Sequence, residues 1–102
     1  MSILKEIQDW YFSQCNGQWE HNHGITIESC DNPGWWVKID IEGTPLATKA
    51  FKRITRNYEI GDLDPKPPWL HCYIEKGKFN GAGDPETLEE ILQIFIDWVK
   101  GA

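Results

Sequence analysis

The amino-acid sequence predicts a two-layer α+β domain: an antiparallel sheet of about four strands, with an N-terminal and a C-terminal helix packed on one face. Three observations predict it. Apolar residues recur at three- and four-residue steps near both ends of the chain and at two-residue steps between them. The alternating segments are joined by short links rich in Gly, Pro, Asn and Asp, as antiparallel neighbours require. Each helix also has one apolar face and each strand one apolar alternate, so stacking the two layers buries both. At 102 residues the chain fits one domain, residues 1–102.

The first helix is predicted over Ile3 to Cys15, where Ile3, Leu4, Ile7, Trp10, Tyr11 and Cys15 share a face. Ser2 is placed to cap it, although Lys5 stands where a capping box has Glu. Asn16-Gly17 tolerates the left-handed conformation that ends helices. Trp19 to Gly24 reads as a polar connector headed by an aromatic ring. Ile25 to Cys30 alternates, and so does Trp35 to Ile41; Asp31-Asn32-Pro33-Gly34 between them is a tight-turn composition, so the pair is a hairpin. Glu42 to Pro45 breaks the pairing. Leu46 to Ala50 is compatible with one helical turn, and Phe51 to Ile60 is a weaker strand with Ile54, Tyr58 and Ile60 in phase. Gly61 to Pro68 is loop by composition. Trp69 to Lys76 alternates again, with Leu70, Cys72 and Ile74 on one face. Gly77 turns the chain towards Phe79 and Gly81-Ala82-Gly83. The last helix is predicted from Asp84 as cap and Pro85 at its first position. Glu86, Glu89 and Glu90 complement its positive end, and Leu88, Ile91, Leu92, Phe95, Trp98 and Val99 form its apolar stripe.

Composition narrows the function classes. A content of 40% hydrophobic residues excludes global disorder, and no apolar run is long enough to cross a bilayer. Met1-Ser2-Ile3-Leu4-Lys5-Glu6 lacks the basic-then-apolar order of a signal peptide, so a cytoplasmic location is expected. Cys15, Cys30 and Cys72 are odd in number and widely spaced, which argues for buried thiols rather than a disulfide framework. The formal net charge is −6. Residues 43–58 carry Lys49, Lys52, Arg53 and Arg56 with no acid, or +4, so the remainder carries −10. Such a body steers towards a basic partner and away from nucleic acid. The basic stretch reads as a solvated strand edge protected from aggregation.

If Val37, Ile39 and Ile41 face the helices, Trp36, Lys38 and Asp40 face out. By the same alternation Trp69, His71, Tyr73 and Glu75 share that outer face. Aromatic rings among charges are what binding interfaces concentrate. The competing reading is that the Gly61–Pro68 loop folds back over these rings. Metal chemistry is weakly signalled: His21-x-His23 is one short-spaced pair, Cys15, Cys30, His71 and Cys72 are scattered, and neighbouring His71 and Cys72 point to opposite faces of a strand. No metal and no cofactor are expected. Cys15 with His21, or Glu20 with His21, offers a nucleophile–base or acid–base pair. No hydrolase elbow, phosphate-cradling loop or zinc-protease motif accompanies them, and Gly81-Ala82-Gly83 reads as a tight turn into the helix. No enzymatic activity is expected.

Several strings are distinctive together. They are Trp10-Tyr11, Gln14-Cys15-Asn16-Gly17, Trp19-Glu20-His21, Gly24-Ile25, Asp31-Asn32-Pro33-Gly34-Trp35 and Lys38-Ile39-Asp40. Later come Trp69, Cys72, Phe79-Asn80-Gly81 and Leu88-Glu89-Glu90-Ile91-Leu92, with Phe95 and Trp98. With these the chain resembles the Immunity protein 53 family of bacterial polymorphic toxin systems, from about residue 4 to residue 99. The resemblance implies a small cytoplasmic protein that binds a cognate toxin domain and neutralises it by stoichiometric inhibition, with no catalytic residues of its own. A basic enzyme such as a nuclease suits an acidic inhibitor. Pro33 and Gly34 are assigned to the turn, and Trp10, Trp35 and Trp98 to the core. Glu20 and His21 show no fold role in the sequence and join Trp36, Asp40, Trp69, His71, Tyr73 and Glu75 as candidate partner-binding residues. The alternative is a small-molecule or catalytic pocket around Trp19, Glu20, His21 and Cys15. The expected state is a monomer, or a weak homodimer through an open sheet edge or the aromatic face.

Overall fold

The computed structural model describes residues 2–31 and 33–101; Met1 and Asn32, which belong to two of the strings above, lie outside them. Helix α1 spans Ile3–Gln14, a single helical turn α2 spans Trp19–Asn22, and β1 (Ile25–Cys30) and β2 (Gly34–Asp40) follow. A 3₁₀ turn at Pro45–Thr48 precedes β3 (Ile54–Arg56), β4 (Leu70–Glu75), β5 (Lys78–Gly83) and α3 (Leu88–Lys100). The five strands form one sheet in the order β1-β2-β5-β4-β3, with every pair antiparallel. The α+β prediction holds, with a fifth strand added.

That extra strand is β5, at the centre of the sheet. Its sequence, Lys78-Phe79-Asn80-Gly81-Ala82-Gly83, has poor strand propensity, so it reads as turn. Packing overrides propensity here. A Cβ on Gly81 would sit 2.4 Å from Cγ2 of Ile91, and one on Gly83 would sit 2.0 Å from Oγ1 of Thr87. The glycines let α3 lie directly on the sheet. Phe79 fills the space beside them, edge-on to Phe95 at 5.2 Å between ring centres.

Helix α1 packs beside α3 on the same face, with Trp10 edge-on to Phe95 at 4.9 Å. Between the helices and the sheet lie Ile7, Val37, Ile39, Leu70, Cys72, Ile91 and Leu92, all buried. Each such side chain contributes roughly 1.5–3 kcal/mol of burial free energy at most. Trp10 is buried as expected. Trp35 and Trp98 are half-buried at the rim, and their indole N–H groups donate to the carbonyls of Pro85 and Ala50.

Several boundaries move for identifiable reasons. Ser2 caps α1 as predicted, accepting from the Lys5 amide, but the helix stops at Gln14 because Cys15 is already extended. The Trp19–Gly24 connector contains α2, which buries Trp19. The predicted strand over Phe51–Ile60 survives only at Ile54–Arg56, and the segment after it folds across the sheet. Helix α3 begins at Leu88, later than Asp84. The buried Asp84 carboxylate instead accepts from the amides of Trp69 and Glu86, at 2.9 Å each, and so ties the start of β4 to the approach of α3.

Candidate partner-binding face

The pairing register sets the face turned away from the helices. Across the strands it brings Glu28, Trp36, Ala82, His71 and Thr55 into one row. Lys38, Asn80 and Tyr73 form the next row, and Asp40, Lys78 and Glu75 the third. Trp36, Asp40, His71, Tyr73 and Glu75 thus share one face, as the alternation predicts, and Trp69 joins them from just before β4.

The face is not uniformly open. Trp69 and His71 are 5% and 7% exposed, so the sequence reading that set them on an open surface is corrected. The chain after β3 turns back and lays Tyr58 against both rings, at 5.7 Å from Trp69 and 4.7 Å from His71. Pro65 is buried beside them. The Gly61–Pro68 loop that competed for these rings supplies Asp62 and Pro65 beside them, but the ring laid on Trp69 and His71 is Tyr58, from the segment predicted as a strand. His71 continues the stack onto Tyr73 at 4.4 Å. Trp36 remains 39% exposed, Tyr73 is half-buried and Glu75 is exposed.

Between Trp36, Tyr58, Trp69 and Tyr73 lies a cleft of about 290 Å³, with Asp62 in its wall. Arg53 borders the stack. Its guanidinium donates to Nε2 of His71 at 3.0 Å and lies 5.0 Å from the Tyr73 ring centre. An imidazole nitrogen that accepts from Arg carries its lone pair, which puts the ring proton on Nδ1. Burial, and then the charge of Arg53, push the His71 pKa below its ordinary value, so the ring is neutral near pH 7. Burial, then Glu75 and Tyr58, raise that of Tyr73. On the other side Lys38 lies 4.1 Å above the Trp36 ring and pairs with Glu28 at 3.4 Å.

Asp40 belongs to the fold. Its carboxylate accepts from the Gly24 amide at 2.8 Å and pairs with Lys78, fixing the chain where it enters β1. Glu20 is also structural, contrary to the sequence reading. It accepts from the amides of Asn16 and Gly17, at 2.9 and 2.8 Å, closing the loop between α1 and α2. Hydrogen bonds from its own amide, and then from those two, hold its carboxyl below the usual range. His21 is exposed on α2. The alternative pocket finds no support. The Trp19 indole is buried and donates to the Glu42 carbonyl, the Cys15 thiol donates to the Tyr11 carbonyl, and Glu20 is occupied as described. His71 and Cys72 do point to opposite faces, and the basic stretch is more than a solvated edge. Arg56 forks onto Glu90, and Lys49 donates to the carbonyls of Trp98 and Gly101.

Sequence reasoning missed Tyr58, Asp62 and Pro65 as parts of this face. Tyr58 reads in phase with Ile54 and Ile60 on a weaker strand, which gives no sign that it lies over the outer face. A better signal was the Pro-rich segment ending at Trp69, since proline and aromatic rings pack readily on each other. A larger cleft of about 500 Å³ separates the first turns of α1 and α3. Its walls include Leu4, Leu88 and Leu92 of the helices together with Trp35 of β2, Glu86 and Glu89, and none of the sequence candidates reaches it. No helix among the described residues is long and apolar enough to cross a membrane.

No curated protein and no solved structure matches the chain. The sequence itself is more informative. Residues 4–100 take in the sheet, the loop over its outer face and nearly all of the helical layer. Over that whole span the chain matches Immunity protein 53, and it belongs to that family.

Proposed function

We propose that this chain binds a cognate toxin domain and neutralises it by stoichiometric contact, without chemistry of its own. Membership of the immunity family over nearly the whole chain carries the reading. The outer sheet face supports it. Trp36, Tyr73 and Glu75 present an aromatic and acidic surface to the toxin, and buried Trp69 and His71 hold Tyr58 in place beneath it. Asp40 braces the far end of the same face, and Glu20 closes the loop that precedes α2, on which His21 is exposed. The net charge of −6 favours a basic toxin, such as a nuclease whose own substrate is a polyanion. The protein acts in the cytoplasm, as a monomer or weak homodimer, and needs no cofactor.

The test is capture of the catalytically disabled toxin domain encoded beside this chain, followed by titration calorimetry. One-to-one binding at about nanomolar affinity, near −12 kcal/mol, is the expected result. Failure to bind any neighbouring gene product removes the reading.

A further inference from the structure

We propose that the cleft beside the Trp69–Tyr58–His71–Tyr73 stack seats one basic side chain of the toxin, Arg or Lys, against the ring of Trp36 and the carboxylate of Asp62. The inference rests on the toxin-binding reading and adds the chemistry of the contact.

The cleft volume, about 290 Å³, lies at the bottom of the range used by drug-sized ligands, so it suits a single long side chain. Its lining is mostly aromatic; the Trp69–Tyr58–His71–Tyr73 rings stack on one another, whereas Trp36 stands outside that stack and is 39% exposed, and a ring face attracts a cation placed over it. Among the described residues, Asp62 is the only formally charged group in the wall. One of its oxygens accepts the Asp64 amide at 3.1 Å, and the side chain is otherwise exposed to an incoming partner. His71, the one other ionisable ring that favours a positive charge, is held neutral by burial and by Arg53. The same sheet face already attracts cations. Lys38 lies over Trp36, and Arg53 lies against Tyr73. Neither is in the cleft wall. Lys38 is offset by Glu28, and Arg53 is engaged by His71. A cationic occupant meets the carboxylate in the wall and an overall charge of −6, against the charge of Arg53, which lies outside the wall; an anionic one meets both negative charges.

The experiment compares toxin binding by the wild-type chain and three full-length variants, each checked for an unchanged melting midpoint. Asp62→Asn keeps the oxygen that accepts the Asp64 amide and removes the charge. Trp36→Leu keeps apolar bulk and removes the π-face. Glu89→Gln changes an exposed charge on α3, on the helical side of the molecule. Asp62→Asn and Trp36→Leu are each expected to weaken binding tenfold or more, with Glu89→Gln within about twofold. Wild-type binding with both cleft variants unchanged overturns the inference and leaves the immunity reading standing. A loss confined to Trp36→Leu means an apolar occupant, and a loss confined to Asp62→Asn means long-range steering; either overturns it too. No binding by the wild-type chain removes the immunity reading and the inference with it.

Discussion

Gly81 has the side chain of Ile91 where its own Cβ would be, at 2.4 Å, and that atom sits on a buried helix face rather than on a flexible tip. Gly81→Ala therefore overpacks the core and is expected to cost about 1–3 kcal/mol in denaturant titrations. Gly24→Ala, where nothing lies within 4 Å, is expected to stay within about 0.5 kcal/mol of wild type. His71 makes a second prediction at this scale. The folded chain resists protonating it, so below the ordinary histidine value of 6.5 the unfolded chain binds more protons and stability falls. Above that value both states hold a neutral ring and the contribution is constant. His71→Gln removes this component, so its melting midpoint should fall less steeply than that of wild type between about pH 7 and pH 5. Cys72 differs from the other two cysteines in the same physical sense. Burial pushes its thiol up to about 12, whereas Cys15 and Cys30 are half-buried.

At the scale of elements, β3 has three residues and little ladder of its own, so its position depends on Arg56. The guanidinium forks onto Glu90 of α3 at 2.6 and 2.8 Å. Hydrogen bonding to Arg56 lowers the Glu90 pKa, so the pair stabilises above the ordinary carboxylate value of 4.5 and is lost as pH falls through the lower folded value. Both side chains are nearly half exposed, which limits the effect to about 0.2–1 kcal/mol, weaker still in high salt. Arg56→Ala should change global stability by no more than that. It should, however, speed amide exchange through Tyr58–Pro65, because that segment leaves from β3. The elements themselves divide by how visible they were. The β1–β2 hairpin and the two long helices were legible because their apolar spacing and turn residues agree. Central strand β5 was not, because its glycines answer to Ile91 and Thr87, residues distant in sequence. Of the Tyr58–Pro65 cover, only the part within Gly61–Pro68 was legible, and only as an alternative, since composition shows a loop but not where it lies. On the candidate face, alternation placed Trp36, Tyr73 and Glu75 correctly. The carboxylates of Glu20 and Asp40, by contrast, turned out to be bonded to backbone amides, which spacing cannot reveal.

For the molecule as a whole, the charge of −6 predicts how association should respond to salt. Raising ionic strength from about 0.05 to 0.5 M shortens the Debye length, so the association rate with a basic toxin should fall several-fold or more while dissociation changes little. A stopped-flow series checks this, and a salt-independent association rate would exclude a basic partner. The sheet topology has a further consequence. Central strand β5 pairs on one side with β2, Trp35 standing opposite Gly83, so the sheet closes between strands from distant parts of the chain. During synthesis the first hairpin leaves the ribosome with one long side unpaired and no α3 to cover it. The cleft needs Trp36 from that early hairpin and Trp69 and Tyr73 from the later one, so it forms only after β4 has been made. At about 5–20 residues per second, a ribosome spends seconds on a chain that gives no partial shielding. On the toxin-binding proposal, a cell that began making this protein only after the toxin arrived would lack cover for that interval, so finished copies would have to be in place beforehand.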